Sequence, residues 1–422
     1  MKTTATVLAL VLLTLVSSPR AEVKLDGFLQ GLYGARADIA NPTATEYPAS
    51  ETRLQLRLEE YGDNAEVFGR MDFFYDAADS ARYEWELREG YLKFRLGSRF
   101  DFKIGRQVLT WGTGDLIFIN DVFAKDYRSF FVGRDDQYLK APQTALRTEF
   151  YAGRYGLTLV VIPRFEPNRL PTGRKLSYFN PMVTPGGAIV GEGFFFDPPL
   201  PEARIDNSEL ALRLSRPVGN FNASLYVYRG FYKNPLGAEP LFGGSGMVIP
   251  VYPRLNLYGA SIRGVIAGGV LWLEGGFLDS RRDPDGDDPL MPNSSATGLF
   301  GFERQIATNL TVNLQWQADF LFDHDKFASM QPPGLFVRDE LRHLLTSRVT
   351  KLLLDENLTL SGFMFYSPSD EDAYLRASAS YKYTDELTLA IGGNLFAGRH
   401  PNTEFGQFQK NDNAYLKVTY GF

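Results

Sequence analysis

The chain has 422 residues, 44 Lys and Arg against 50 Asp and Glu, and a formal net charge of −6, a mild acidity that argues against a nucleic-acid partner. It contains no Cys, which excludes disulfides, thiolate catalysis, iron–sulfur or covalent haem attachment and Cys zinc sites. Phe and Tyr number 33 and 22, an aromatic load that suits girdles at two membrane interfaces better than the core of a soluble enzyme.

The N-terminus carries Lys2, an apolar stretch over 6–16 and small residues over 17–21, the pattern of a secretory signal peptide whose apolar run is too short to span a bilayer. Residues 1–21 are therefore expected to be removed, leaving 22–422 as the mature chain. Beyond them no run approaches 18 consecutive apolar residues, so a helical membrane protein is excluded.

From there strand-like runs of about ten residues are separated by Pro, Gly and Asp clusters, the spacing of a single closed sheet rather than of several linked domains. Alternation is clear in Leu210, Leu212 and Leu214 against Glu209 and Arg213. It is clearest in Leu310, Val312, Leu314, Trp316, Ala318, Phe320 and Phe322 against Thr311, Asn313, Gln315, Gln317 and Asp319, and it returns in Leu375, Ala377, Ala379 and Tyr381 against Tyr374, Arg376, Ser378 and Lys382. One face suits lipid and the other water, which is stable in a membrane only if the backbone is paired all the way round a barrel.

Short turns are predicted near 62–64, 97–98, 153–156, 217–219, 267–268, 307–308, 355–356 and 384–385, and longer connections alternate with them, notably near 38–51, 112–142, 166–206, 233–252, 283–294, 323–340 and 398–411. Eight turns with nine loops give an all-β protein: one transmembrane antiparallel barrel of about 18 strands (16–18), both termini periplasmic. The segments 262–266 and 343–354 alternate poorly. A barrel this wide leaves an aqueous lumen, so its size favours a pore.

The loop 112–142 follows the strand ending at Trp111 and is too apolar to stand in water: Leu116, Ile117, Phe118, Ile119, Val122, Phe123, Phe130, Phe131 and Val132 need a surface. The inside wall offers one, so the loop is expected to fold inward as a constriction lined or braced by Asp115, Asp121, Asp126, Arg128, Arg134, Asp135, Asp136 and Lys140; the alternative is an extracellular cap. The wall should add Arg70 and Asp72, Glu89, Lys93 and Arg95, Lys103, Arg147 and Glu149, Arg213 and Glu274, most of them cross-strand braces of register. Tyr91, Trp111, Tyr151, Tyr226, Tyr228, Tyr258 and Trp272 fall on the inner phase, where they would form a track for ring-bearing solutes, or in interface girdles.

The acidic run 283–288 has the oxygen ligands Ca²⁺ prefers but lacks a downstream bidentate Glu, and reads as a solvated loop. The three His, at 324, 343 and 400, fit no recognisable catalytic signature. The chain ends on a strand with Leu416, Val418, Tyr420 and Phe422 on one face and Lys417, Thr419 and Gly421 on the other, the apolar-out strand with terminal Phe that outer-membrane barrels present; Tyr420 and Phe422 read as an assembly signal for the barrel-assembly machinery.

On the strand end Gly105-Arg-Gln-Val-Leu-Thr-Trp-Gly112, continuing to Lys140-Ala-Pro142, the sequence resembles a family of uncharacterised proteobacterial porin-like barrels and, more distantly, alginate-export-type channels. The resemblance covers about 45 residues, and elsewhere only barrel periodicity matches. It implies a passive channel working beside an inner-membrane transporter and transfers no solute-binding residue. The expected function is an outer-membrane channel for small polar or amphipathic solutes, without a cofactor, in contact with outer-membrane lipid and able to exist as a monomer or a homotrimer. A structural sleeve for a partner such as an electron carrier, and an outer-membrane enzyme, are the competing readings.

Overall fold

The computed structural model describes residues 22–422 apart from 39, 44, 46, 63, 79–81, 182, 185, 194–196 and 241–247; the expected signal segment 1–21 lies outside the described residues. Eighteen strands form one antiparallel sheet: β1 (Glu22–Arg36), β2 (Ala49–Tyr61), β3 (Ala65–Asp76), β4 (Tyr83–Leu96), β5 (Phe100–Val108), β6 (Pro142–Ala152), β7 (Tyr155–Ile162), β8 (Glu209–Val218), β9 (Phe221–Phe231), β10 (Arg254–Ile266), β11 (Gly269–Ser280), β12 (Ser295–Ala307), β13 (Leu310–Leu321), β14 (Leu341–Leu353), β15 (Leu358–Ser367), β16 (Asp372–Lys382), β17 (Leu387–Gly398) and β18 (Asn413–Gly421). Each strand pairs with its neighbours in sequence, and β18 pairs back onto β1 from Phe28↔Gly421 to Arg36↔Asn413, which closes the barrel. All eight predicted short turns join consecutive strands at one end of the barrel. Both chain ends lie at that end too, because the strand number is even.

The closure is sealed at the C-terminus itself. The Gly27 and Phe422 N–H groups each donate to the other residue's carbonyl at 3.0 Å, so the last residue of the chain is still in the ladder. The side chains of Tyr420 and Phe422 point outward, as the alternation requires.

Outward-facing residues form an apolar band: Leu314 (57% exposed) and Trp316 (47%) alternate in β13 with Asn313 and Gln315, which are buried inside. The poorly alternating segments fall in β10 and β14. Their inner faces carry apolar residues, Leu255 and Leu257 in one and Leu344 in the other, that are covered by chain inside the barrel. For the same reason Tyr258 is not on the inner wall: it points outward and is 48% exposed, because Leu255 and Leu257 take the inner phase of β10.

Among the described residues two α-helices lie outside the sheet, α1 (Tyr127–Phe131) and α2 (His324–Met330), and two short ribbons, Tyr178–Asn180 with Ala188–Val190 and Gly237–Pro240 with Val248–Val251, sit in the connections from β7 to β8 and from β9 to β10. An arginine on the lipid face should be far more costly than one in the lumen. Leu314→Arg is expected to lose about 2–4 kcal/mol of stability in chemical unfolding from lipid vesicles, whereas Gln305→Arg, on the inner face of β12, should stay within about 0.5 kcal/mol.

Candidate functional site

Where β5 ends at Val108 the chain leaves the wall and enters the lumen, returning at Pro142. The first fastening is at Gly112, whose φ of 79° belongs to the left-handed region and whose Cα sits against the Glu274 carboxylate of β11; a Cβ there would come within 2.7 Å of Glu274 Oε1. Glu274 accepts from the Thr113 N–H (2.5 Å), the Thr113 hydroxyl (2.8 Å), the Asn120 N–H (2.9 Å) and Asn120 Nδ2 (3.0 Å). A buried carboxylate is stable when its oxygens are saturated in this way. Gln315 of β13 then clasps the backbone of Asp115 with two 2.8 Å bonds, while Arg348 of β14 grips the Asp115 carboxylate at 2.6 and 3.1 Å.

The middle of the loop is fastened by apolar packing. Ile117, Ile119, Phe130, Phe131 and Val132 bury against Trp272, Leu299, Leu344, Phe363, Phe365, Tyr374 and Phe396, which the strands from β11 to β17 turn inward. Phe131 meets the Phe408 ring at 4.8 Å and the Tyr374 ring edge-on at 5.4 Å, so the loop before β18 also contributes. Gly133, φ 87°, lies against the Tyr415 ring at a place where a Cβ would come within 2.5 Å.

Beyond it the chain meets β16, β18 and β2. Asp135 pairs with Lys417, Asp136 with Arg376 (2.9 Å) and Arg348 (3.4 Å), and Arg134 with Glu51. Tyr138 is sandwiched between the guanidiniums of Arg53 and Arg88, each 4.4 Å from its ring centre. The loop thus touches the wall nearly all round.

Most of the charges singled out in the sequence are braces. Asp121 bonds Lys125 (3.0 Å) and the Thr110 hydroxyl (2.7 Å); burial holds the Lys125 ammonium below the usual lysine value, with Asp121 opposing the shift. Asp126 caps α1, accepting from the Ser129 N–H and hydroxyl at 2.9 Å. The Lys140 carbonyl accepts from Arg88 at 3.0 Å. On the wall, Arg70 pairs with Glu89, Asp72 with Arg53, Lys93 with Glu66 (3.2 Å), Arg95 with Asp101 (2.8 Å), and Arg147 with Glu149, which also accepts from Tyr151 (3.0 Å). The inner aromatics Tyr226, Tyr228 and Trp272 are covered by the loop, so they present no open track.

A cavity of about 740 Å³ lies between the loop and the wall from β2 to β5, roofed by 169–176 of the connection from β7 to β8. Asp126, Arg128 and Arg134 line it; the other linings were not anticipated. Arg53, Arg88, Arg106, Arg169, Arg174 and Lys175 bring the cationic side chains to eight, against four carboxylates, Asp76, Glu84, Glu86 and Asp126. Arg53 was legible, alternating with Leu54 and Leu56 in β2. Arg88 was not, because a register shift between Arg70 and Met71 turns both Arg88 and Glu89 inward. The roof is tied down by Arg169, which bonds Glu86 and reaches Asp126 at 3.4 Å, and by Lys175, which pairs with Asp76.

The remaining motifs are structural. Asp283 accepts from the N–H groups of Asp287 (3.1 Å) and Asp288 (3.3 Å), and among the described residues no group of three or more His, Asp or Glu is placed to hold a metal ion. His324 bonds the Arg338 carbonyl (2.8 Å), His343 stacks on Trp316 and His400 on Phe336.

Compared with solved structures, the chain superposes along its whole described length on outer-membrane channels. Acinetobacter baumannii OccAB4 matches with a TM-score of 0.58 at 9% identity, covering 95% of this chain and 98% of that one. Pseudomonas aeruginosa OccK3 (OpdO) gives 0.56 at 11%, covering 95% and 96%, and Pseudomonas aeruginosa OpdK, solved with vanillate, gives 0.53 at 10%, covering 95% and 98%. The fold is that of a porin-type barrel. At these identities the likeness concerns the fold alone, and the porins lend no support to the more distant likeness to alginate-export-type channels. Scanned against protein-family models and curated proteins, the sequence matches none.

Glu274 holds the entry of the inner loop, and its removal should loosen that segment first. Glu274→Ala strips charged partners from two backbone N–H groups, each such bond being worth about 1.5–3 kcal/mol, so amide exchange at Thr113 and Asn120 should accelerate by about tenfold or more while β13 and β14 stay protected.

Proposed function

We propose that this chain is an outer-membrane channel passing small anionic solutes through the basic cavity beside its inner loop. The carrying observation is the excess of cations over carboxylates where the loop leaves space. Guanidiniums in a narrow, low-dielectric passage lower the cost of stripping water from an anion and disfavour cations of similar size. Three of the four lining carboxylates, Asp76, Glu86 and Asp126, are themselves paired with Arg169 or Lys175, so a permeating anion competes with them for the cations without being trapped.

The loop 109–141 acts as the constriction. It is fastened from β11 round to β2, so it narrows the lumen as a fixed wall rather than a swinging flap. A neighbouring barrel carries vanillate, an aromatic carboxylate, which suits a solute with a charged end and a ring. In this reading the turn end with both termini faces the periplasm, residues 1–21 direct export, and Tyr420 and Phe422 serve assembly. A homotrimer and an inner-membrane transporter partner remain compatible with it. An enzyme is disfavoured by the scattering of the three histidines.

Reconstituted in planar bilayers, the refolded mature protein should give stepwise currents whose reversal potential in a KCl gradient has the sign for anions. A cation-signed potential would refute the anionic assignment, and a folded but silent barrel would favour the sleeve. Removing 115–136 should raise the conductance by about twofold or more while the barrel stays heat-modifiable on gels; unchanged conductance would rule out the loop as constriction.

A further inference from the structure

Among the described residues, the ladder between β4 and β5 has a seven-residue gap. Facing β3, β4 is paired from Tyr83 onward, but facing β5 it is paired only from Gly90 to Leu96. The partner strand is missing because β5 ends at Val108, where the chain turns into the lumen as the inner loop. Residues 83–89 therefore border the wall with a bare strand edge on that side. One of its carbonyls, Leu87 O, accepts instead from Arg106 Nε at 2.9 Å, and Arg106 is held in turn by Glu166 at 2.9 Å. An unpaired edge cannot face hydrocarbon and is tolerated only beside protein or a wet cavity.

The basic cavity meets that edge. Its lining runs through Glu84, Trp85, Glu86 and Leu87 in succession and so touches both faces of the strand. Trp85 belongs to the outer face: it lies opposite Phe73 in the ladder and is 61% exposed, with Tyr83 beside it at 82%. On that outer face an apolar groove of about 360 Å³ is lined by Leu29, Leu54, Phe73 and Tyr83 and bordered by the same Glu84 and Trp85. A greasy groove outside and a cationic cavity inside thus share one border.

We infer that the gap beside β4 is a side port, through which a single-chain carboxylate with an apolar tail enters the cavity from the bilayer surface. The tail lies in the outer groove and the carboxylate is drawn past Arg106 toward Arg88. Charge complementarity selects the head, and the apolar lining of the groove selects the tail. The inference rests on the channel reading and adds a second entrance to it.

The absence of Cys makes Y83C, in the outer groove and outside the cavity lining, a unique labelling site in the full mature chain. Dodecanoate should block KCl currents at a concentration about tenfold below that of acetate. A bulky maleimide polyethylene glycol on Y83C should weaken the dodecanoate block about fivefold while leaving KCl conductance and acetate block unchanged. In the unmodified protein, a bromododecanoate should quench a tryptophan emission that W85F lacks, a readout independent of whether Y83C folds. Block and quenching indifferent to these changes would overturn the port, and so would a label that silences KCl current as well, since the two paths would then be one. Equal competition by phosphatidylglycerol vesicles would replace the carboxylate with a lipid phosphate. A barrel with no current before labelling would refute the channel itself, a different failure.

Discussion

Everything in this molecule follows from the rule that a backbone crossing a membrane must pair with itself. Eighteen strands meet that rule by closing β18 onto β1, and the closure runs to the final residue, where Phe422 and Gly27 exchange hydrogen bonds. A closed sheet this wide cannot fill its own interior. The lumen must hold water or another part of the chain, and here the inner loop occupies part of it.

The inner loop solves that filling problem unequally around the circumference. Toward β11–β17 the wall turns aromatic and aliphatic residues inward, and the loop's own apolar residues bury there as they would in a soluble core. Toward β2–β5 the wall carries many cations, and the loop leaves space there although Tyr138 slots between Arg53 and Arg88, Arg134 pairs with Glu51 and the Lys140 carbonyl accepts from Arg88. The same detour that carries the loop inward shortens β5 and exposes the edge of β4. The inner loop, the basic cavity and the break in the ladder are three results of one departure from the wall at Val108.

The ion pairs divide accordingly. Those between loop and wall, such as Asp115 with Arg348 or Asp136 with Arg376, fix where the loop sits, and their worth lies in geometry as much as in net stability. Those across neighbouring strands, such as Lys93 with Glu66, hold register. The cations gathered under 169–176 line one cavity together.

The chain by itself determined the barrel, because a period of two is imposed by the pleat and survives wherever one face meets lipid: the eight turns, the outward Leu314 and Trp316 and the terminal strand were all legible. It also announced a loop that could not stay in water, since nine apolar side chains in that segment have no other explanation. Tertiary structure decided the rest. Leu255, Leu257 and Leu344 look lipid-facing yet point inward, and Tyr258 is displaced outward, because an apolar loop makes part of the inner wall apolar too and the alternation loses its contrast. Arg88 enters the cavity through a register shift, and Arg169, Arg174 and Lys175 arrive from a long connection whose sequence has no period to read. Local pattern records what each strand faces on average; which cations share one cavity depends on contacts between residues far apart in the chain, and no local pattern encodes those.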